Sequence, residues 1–414
     1  MARTALLSLS GLLALFVTAG AEPPSQGSSS TESSWPAFLD PSNKRLKPGG
    51  YFGRTGEVRK KLLEHFGGNE DSEKAVAKGL QWLALHQAAD GHWSLDRFNL
   101  CARDSLKSKR YFDDGSTGRA TGRNDVAGTA FGVLPLLGAG ITHKLSKDKE
   151  ANTYVPTVSR GITWLLRNQR ANGAFGTEVY SHALATIAIC EAYGMTGDVR
   201  LKRPAQAALN YIVTGQDPVA GGWRYQPRSG SDTSVTGFQL MALKSGQLAG
   251  LVVPPASYKG AGAWLDTCES KDKGGYGYTN DRESPAMTAV GLLCRLYLGV
   301  SADDAGIRKG VKKLRANPPG KLDSIYYEYY AAQVMHHAGG ADWAFWNLGP
   351  TKKKDGVRDR LIARQGEDGT WFSVRDPHAA PGGRIMQTSL SLLTLEVYYR
   401  HLPLLRRPAE KKEK

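Results

Sequence analysis

Three groups of side chains in this chain are of types that could do chemistry. Residues 325–330 read IYYEYY, and with His336, His337, Trp343, Phe345 and Trp346 close behind they gather rings, a carboxylate and imidazoles in one short stretch. Helical spacing puts Tyr326, Tyr329 and Tyr330 on one face and Tyr327 on another. Such a face could stack on a polycyclic lipid or line a sugar groove, or it could be core packing with its hydroxyls satisfied locally. Glu328 beside these tyrosines, and Glu178 with His182, are the carboxylates and imidazole available for acid and base work. The third group is Ser231-Asp232-Thr233-Ser234. Asp232 stands four residues before Thr236, as Asp125 does before Thr129, and the shared spacing reads first as a helix N-cap.

The elements that position these residues repeat. Gln87, Gly91 and Trp93 recur as Gln169, Gly173 and Phe175, as Gln216, Gly221 and Trp223 (one residue longer), and as Gln365, Gly369 and Trp371. Each copy follows a run of helical periodicity, such as Leu80, Leu83 and Ala84 or Ile162, Leu165 and Leu166. The glycine ends the preceding helix and the aromatic packs back across the turn. After each turn a second, more apolar helix begins, and Thr129, Thr236, Thr288 and Thr388 fall in one column of those helices. Six such helix-turn-helix units fit between Asp71 and Leu402, with residues 97–124, polar and glycine-rich, as an insertion in the first. Units of this length cannot bury both helices alone, so they must stack. The expected fold is all-α: an (α/α)6 toroid of six helical hairpins with the apolar helices inside, or an open superhelix of the same hairpins.

The QxxxGxW turns resemble the QW repeat of the triterpene cyclases, and GGWRY, GGYGY and DGTW are similar to turns of the wider terpenoid cyclase and protein prenyltransferase superfamily. The resemblance implies a barrel with a cavity at its centre. It also implies motifs that this chain lacks. The cyclase DxDDTA motif has its nearest match at Asp232-Thr233, and the residue matching the proton-donating aspartate is then Ser231. Set against Thr236 instead, the two acids become Ser234 and Val235. The prenyltransferase zinc site of aspartate, cysteine and histidine is matched only by Asp266 and Cys268, with His336 or His337 as a third ligand. Arg224 and Arg228 flank the GGW turn where a diphosphate would need cations, and the thioester sequence GCGEQ is absent.

Arg3, the apolar stretch 5–17 and Ala19-Gly20-Ala21 form an export signal, expected to end at residue 21 and to direct the chain to the periplasm or the extracellular space. Residues 22–49 read as a disordered Ser/Pro-rich linker, 50–403 as the toroid and 404–414 as a charged tail. The formal charge of +15 is placed partly in RRPAEKKEK and Lys352 to Lys354. With export it argues against nucleic acid and leaves acidic polysaccharide or an anionic membrane surface as partners. Cys101, Cys190, Cys268 and Cys294 show no CxxC pairing, and their connectivity is left open.

These readings favour a binding scaffold that holds a ligand or partner in its central cavity or at its rim and lacks the superfamily's usual catalytic motifs. The alternatives are a squalene cyclase-like enzyme with a displaced acid and a polysaccharide lyase or hydrolase. Asp232 and Glu328 are the catalytic candidates, and Trp223, Tyr225, Tyr326, Tyr329, Tyr330 and His336 the ligand-binding ones. No metal and no cofactor is expected. The partner is expected to be a hydrophobic small molecule or an acidic polysaccharide, with no transmembrane segment after the export signal.

Overall fold

The computed structural model describes residues 51–351 and 354–400. The stretches expected to be an export signal, a linker and a charged tail, together with Lys352 and Lys353, lie outside the described residues. A short helix α1 (Gly56–His65) precedes the hairpins. These pair an outer with an inner helix: α2 (Glu70–Leu85) with α3 (Asp125–Gly138), α4 (Val155–Arg167) with α5 (Val179–Thr196), α6 (Val199–Gly215) with α7 (Thr233–Leu248), α8 (Pro255–Cys268) with α9 (Pro285–Tyr297), and α10 (Ala305–Arg315) with α11 (Ile325–Ala338). An additional helix, α12 (Gly340–Leu348), precedes the sixth pair, α13 (Val357–Arg364) with α14 (Ala379–Leu395), and α15 (Val397–Arg400) follows. Among the described residues β-structure is limited to isolated bridges such as Gln169 with Phe175 and Trp223 with Asp232.

The repeated turn works as a three-point clamp. Gln87 Nε2 donates to the Gly91 carbonyl (2.8 Å) and to the Thr157 carbonyl at the start of the next outer helix (3.0 Å). Gln169 does the same with Gly173 and Pro204, Gln216 with Gly221 and Ser257, and Gln365 with Gly369 and Ala75. The glycine stands at φ +104°, +90°, +85° and +89° in the four copies, and a Cβ on Gly91 would lie 2.6 Å from the Arg160 carbonyl oxygen. Both the left-handed backbone and the close approach of the next helix exclude a side chain there. Finally the aromatic residue donates its backbone N–H to the threonine column: Trp93 to Thr129, Trp223 to Thr236, Tyr276 to Thr288 and Trp371 to Thr388, at 3.1–3.2 Å. Its indole N–H reaches a carbonyl of its own outer helix, as in Trp93 to Leu83 (2.7 Å) and Trp371 to Leu361 (2.7 Å).

Closure distinguishes the toroid from the open superhelix. The inner helices contact in the order α3, α5, α7, α9, α11, α14 and back to α3. Ser389 Oγ of α14 donates to the Phe131 carbonyl of α3 (2.9 Å), and the last glutamine, Gln365, clamps onto Ala75 of α2. The sixth unit therefore treats the first as its next neighbour.

The axis of the barrel is filled. Tyr326 and Tyr330 of α11 reach across to Phe238 of α7 (ring centroids 6.3 and 5.6 Å), and Tyr180 of α5, on the opposite side, packs edge-on against Phe238 at 5.5 Å. Below them the Tyr329 hydroxyl meets Met241 Sδ (3.4 Å) and the Tyr297 hydroxyl meets Gln333 Oε1 (3.2 Å). At the floor, where the inner helices end, Glu191 bridges Arg54 (2.7 Å) and Arg400 (3.1 Å), all three buried. Burial pushes the Glu191 pKa up, but the two guanidinium groups outweigh it and hold the carboxylate ionised. Glu396 beside them is pushed well above the carboxylate range by burial. The central cavity implied by the cyclase resemblance is thus occupied by the chain's own rings and ion pairs.

Candidate functional site

The turns leading from outer to inner helices gather at one end of the toroid, its mouth, and the functional candidates distribute themselves around it unevenly. Asp232 is the N-cap of α7: Oδ1 accepts from Val235 N (2.8 Å) and Ser234 Oγ (2.8 Å). The residue is wholly buried. Burial raises its pKa, opposed by those bonds and by the adjacent Tyr278 hydroxyl. Its Oδ2 has no partner in good hydrogen-bond geometry, and above it Tyr225 and Tyr278 join hydroxyls at 2.7 Å. Asp232 therefore starts a helix, as its spacing predicts, beneath a tyrosine pair.

Glu328 also has a structural partner. It lies four residues after the N-cap Ser324, where Thr236 lies after Asp232 and Thr288 after Ser284, and its Oε1 accepts the Gly320 N–H at 2.9 Å. In the fifth hairpin it does what a threonine does elsewhere. His182 fills the same place in the second: Nδ1 accepts the Phe175 N–H (3.0 Å) and Nε2–H donates to the Ala208 carbonyl (3.0 Å). Burial lowers its pKa to about 4, so the ring is neutral and fixed in one tautomer. Glu178 accepts from Asn124 Nδ2 (2.8 Å) and does not meet the imidazole.

Of the expected ligand-binding residues, Tyr225 alone is widely open, 51% exposed at the mouth. Trp223 is the buried aromatic of the third clamp, its indole N–H on the Ile212 carbonyl (2.8 Å). Tyr326, Tyr329 and Tyr330 do share a face, and that face is the packed axis. Tyr327 points outward, its hydroxyl on the Asn317 carbonyl (2.7 Å). His336, ten residues and about 15 Å along α11 from Tyr326, packs between Phe66 (4.4 Å) and Trp343 (5.1 Å), and burial keeps it neutral. The two therefore belong to opposite ends of the barrel. Asp266 pairs with Arg295 (2.6 Å) while Cys268 is buried, and among the described residues no three His, Cys, Asp or Glu side chains are grouped to hold a metal. The four cysteines are unpaired thiols.

Two features at the mouth were not singled out as sites from the sequence. His378, held near Asp376 (Nδ1 to Oδ1, 3.4 Å), stacks on Tyr326 at 4.9 Å and closes the axis from above. Beside it an open groove of about 480 Å3 runs between the insertion and the segment after Trp371, lined by Asn99, Asp113, Ser116, Thr117, Arg119, Phe372 and Val374 among others. The insertion is pinned to α14: Arg384 N donates to the Gly118 carbonyl (2.7 Å), Arg384 Nε to the Thr117 carbonyl (2.7 Å) and Thr121 N to the Ala380 carbonyl (2.8 Å). Asn99 Nδ2 holds Asp113 Oδ1 at 2.8 Å, while Arg384 stacks over the Phe372 ring at 5.3 Å. The sequence signal for this groove was the interruption of the repeat at 97–124, since a segment that leaves the repeat is free of its packing duties.

No protein-family model matches this chain, and no curated protein matches it. Solved structures do. Glycoside hydrolase family 76 (mannosidase) Bt3792 from Bacteroides thetaiotaomicron VPI-5482 aligns with a TM-score of 0.54 at 11% identity, over 80% of this chain and 97% of that one. An inactive variant of α-1,6-mannanase GH76A of Salegentibacter sp. HEL1_6, in complex with α-1,6-mannotriose, gives 0.51 at 14% identity, over 80% and 99%. The type II terpene cyclase MstE from Scytonema, without ligand, gives 0.51 at 12% identity, over 80% and 98%. What is shared at these identities is the α/α-toroid fold, and the resemblance read from the QW-type turns is met at that level.

Proposed function

We propose that this chain is a binding toroid that takes a saccharide chain at the rim of its mouth, in the groove between the insertion and the segment after Trp371. The observation that carries this reading is where the space lies. The axis is packed from mouth to floor, and a groove of about 480 Å3 stands open beside it. Its wall sets a carboxylate (Asp113), an amide (Asn99), two hydroxyls (Ser116, Thr117) and a guanidinium (Arg119) against Phe372 and Val374. A sugar presents hydroxyls at its edge and C–H groups on its faces, and a mixed wall satisfies both. A polyprenoid would ask for a deep, mainly apolar enclosure.

Binding without conversion fits the two acids expected to be catalytic, and the Asp113 carboxylate of the groove is itself held by Asn99 and the Gly115 N–H. Asp232 and Glu328 are both buried and hydrogen-bonded to backbone N–H groups, so neither is open to a substrate. The fold itself hosts both a mannanase and a terpene cyclase among its neighbours and does not choose between them. Export, expected from the stretch 5–17, would bring the groove to polymers outside the cytoplasm. Isothermal titration with soluble neutral and acidic polysaccharides tests the proposal. Saturable binding that Arg119→Ala weakens about tenfold, with no shortened product, is expected. Conversion of a polyprenoid, or an isoprenoid carried through purification, would replace it with the cyclase-like reading.

A further inference from the structure

We infer that the end of the toroid opposite the mouth docks on an anionic lipid bilayer. Large apolar side chains stand in water there on or beside three successive connections from inner to outer helices: Leu145 (78% exposed) between α3 and α4, Val199 (79%) at the start of α6, and Leu248 (36%) at the end of α7 with Val252 (71%) between α7 and α8. The last connection, Leu251-Val252-Val253-Pro254-Pro255, carries no charge at all.

The three connections form one surface. His143 Nε2 meets Asp198 Oδ2 at 3.0 Å and Lys144 Nζ donates to the Thr196 carbonyl at 3.3 Å, joining the first to the second. A Cβ on Gly194, in the last turn of α5, would lie 3.1 Å from the Ala249 Cβ just after α7, which sets the third connection against the second, and Val252 exchanges two bonds, both 2.9 Å, with Gln206 seven residues into α6. Exposed apolar groups held together in this way mark an interaction face more strongly than scattered ones do.

Charge selects the partner. Lys144, Lys147, Lys149, Arg200, Lys202 and Arg203 are exposed on or beside these tips. The exposed acids among them are Asp148 and Glu150, while Asp198 is buried and satisfied by His143 and Arg200. Apolar tips in a basic setting match an anionic headgroup layer over an acyl boundary, the chemistry of a protein that lies on a membrane. No helix among the described residues is long and apolar enough to cross one, so the contact is peripheral. Docking by this end leaves the groove facing away from the lipid.

Co-sedimentation of the full chain with vesicles of phosphatidylcholine alone, and of phosphatidylcholine mixed equally with phosphatidylglycerol, tests the inference. Wild type is expected to favour the anionic vesicles and to lose binding as salt rises. The double variant Val199→Asp, Val252→Asp should bind the anionic vesicles about tenfold more weakly, since it removes two apolar tips and adds repulsion. Both positions are exposed, so an unchanged thermal melt is expected to show that the fold is intact. The apolar stretch 5–17 is common to both proteins and cancels in the comparison. Equal vesicle binding by wild type and variant overturns the inference, as does absence of vesicle binding with retention on the polyanion heparin.

Discussion

His182 holds in the second hairpin the place that a threonine holds in four others, and the exchange carries a pH signature. Its folded pKa of about 4 lies below the ordinary histidine value of about 6.5, so between those limits the unfolded chain binds a proton that the fold refuses. The stability due to this group is fully present above pH 6.5 and is lost as pH falls towards 4, a change on the order of 3 kcal/mol. His337, also lowered to about 4, adds in the same direction. Urea midpoints measured from pH 7 to 4.5 should fall, and His182→Thr, which restores the column's usual acceptor, should flatten that dependence. Asp232→Ala should cost about 1 kcal/mol as a lost N-cap while leaving saccharide binding unchanged. A melting experiment and a titration on the same variant separate that result from a role in ligand chemistry. The capping spacing of Asp232 was legible in the sequence. The role of Glu328 was not, because a carboxylate bonded to a backbone N–H and one facing a ligand occupy the same position in a helical repeat.

Among the elements, the four Gln-Gly-aromatic turns made the hairpins readable, because each turn fixes the end of one helix and the start of the next outer one in a few residues. The fourth hairpin has Glu269 where the glutamine would stand, accepting the Gly274 N–H (3.2 Å), and the fifth hairpin has neither. Its connection is held by Glu328 on Gly320 and by the Tyr327 hydroxyl on the Asn317 carbonyl, so the chemistry of the clamp persists with different side chains. Nor did the periodicity distinguish α12, whose Trp343 and Trp346 are buried and whose Trp343 indole donates to the Phe66 carbonyl (2.8 Å), tying down the end of α1. A closed ring makes the last clamp equivalent to the first. Gln365→Ala and Gln87→Ala should therefore destabilise by similar amounts, on the order of 1–3 kcal/mol each, through the carbonyl partners they abandon. Denaturant titration of the two variants checks this, and a negligible loss for Gln365→Ala would mean that the first and sixth hairpins are not joined.

For the whole molecule, the sequence predicted the toroid and left its centre open between a lined cavity and packed rings. A helix face of tyrosines reads alike whether it lines a cavity or meets rings from the far wall, and only the approach of α5, α7 and α11 decides. Here Tyr180, Phe238, Tyr326 and Tyr330 meet, and the floor is sealed by Arg54, Glu191 and Arg400. The Tyr330 hydroxyl is buried without a good hydrogen-bond partner, so Tyr330→Phe should change stability by less than about 1 kcal/mol and in either direction. The groove was illegible as a groove because its walls come from residues far apart in the chain, although the insertion that builds one wall stood out from the repeat. The most direct measurement is saccharide affinity in wild type, Arg119→Ala and Tyr330→Phe proteins by isothermal titration. Binding at the rim predicts that Arg119→Ala loses about tenfold and Tyr330→Phe nothing. Loss in Tyr330→Phe with none in Arg119→Ala would place the ligand in the axis and contradict the account.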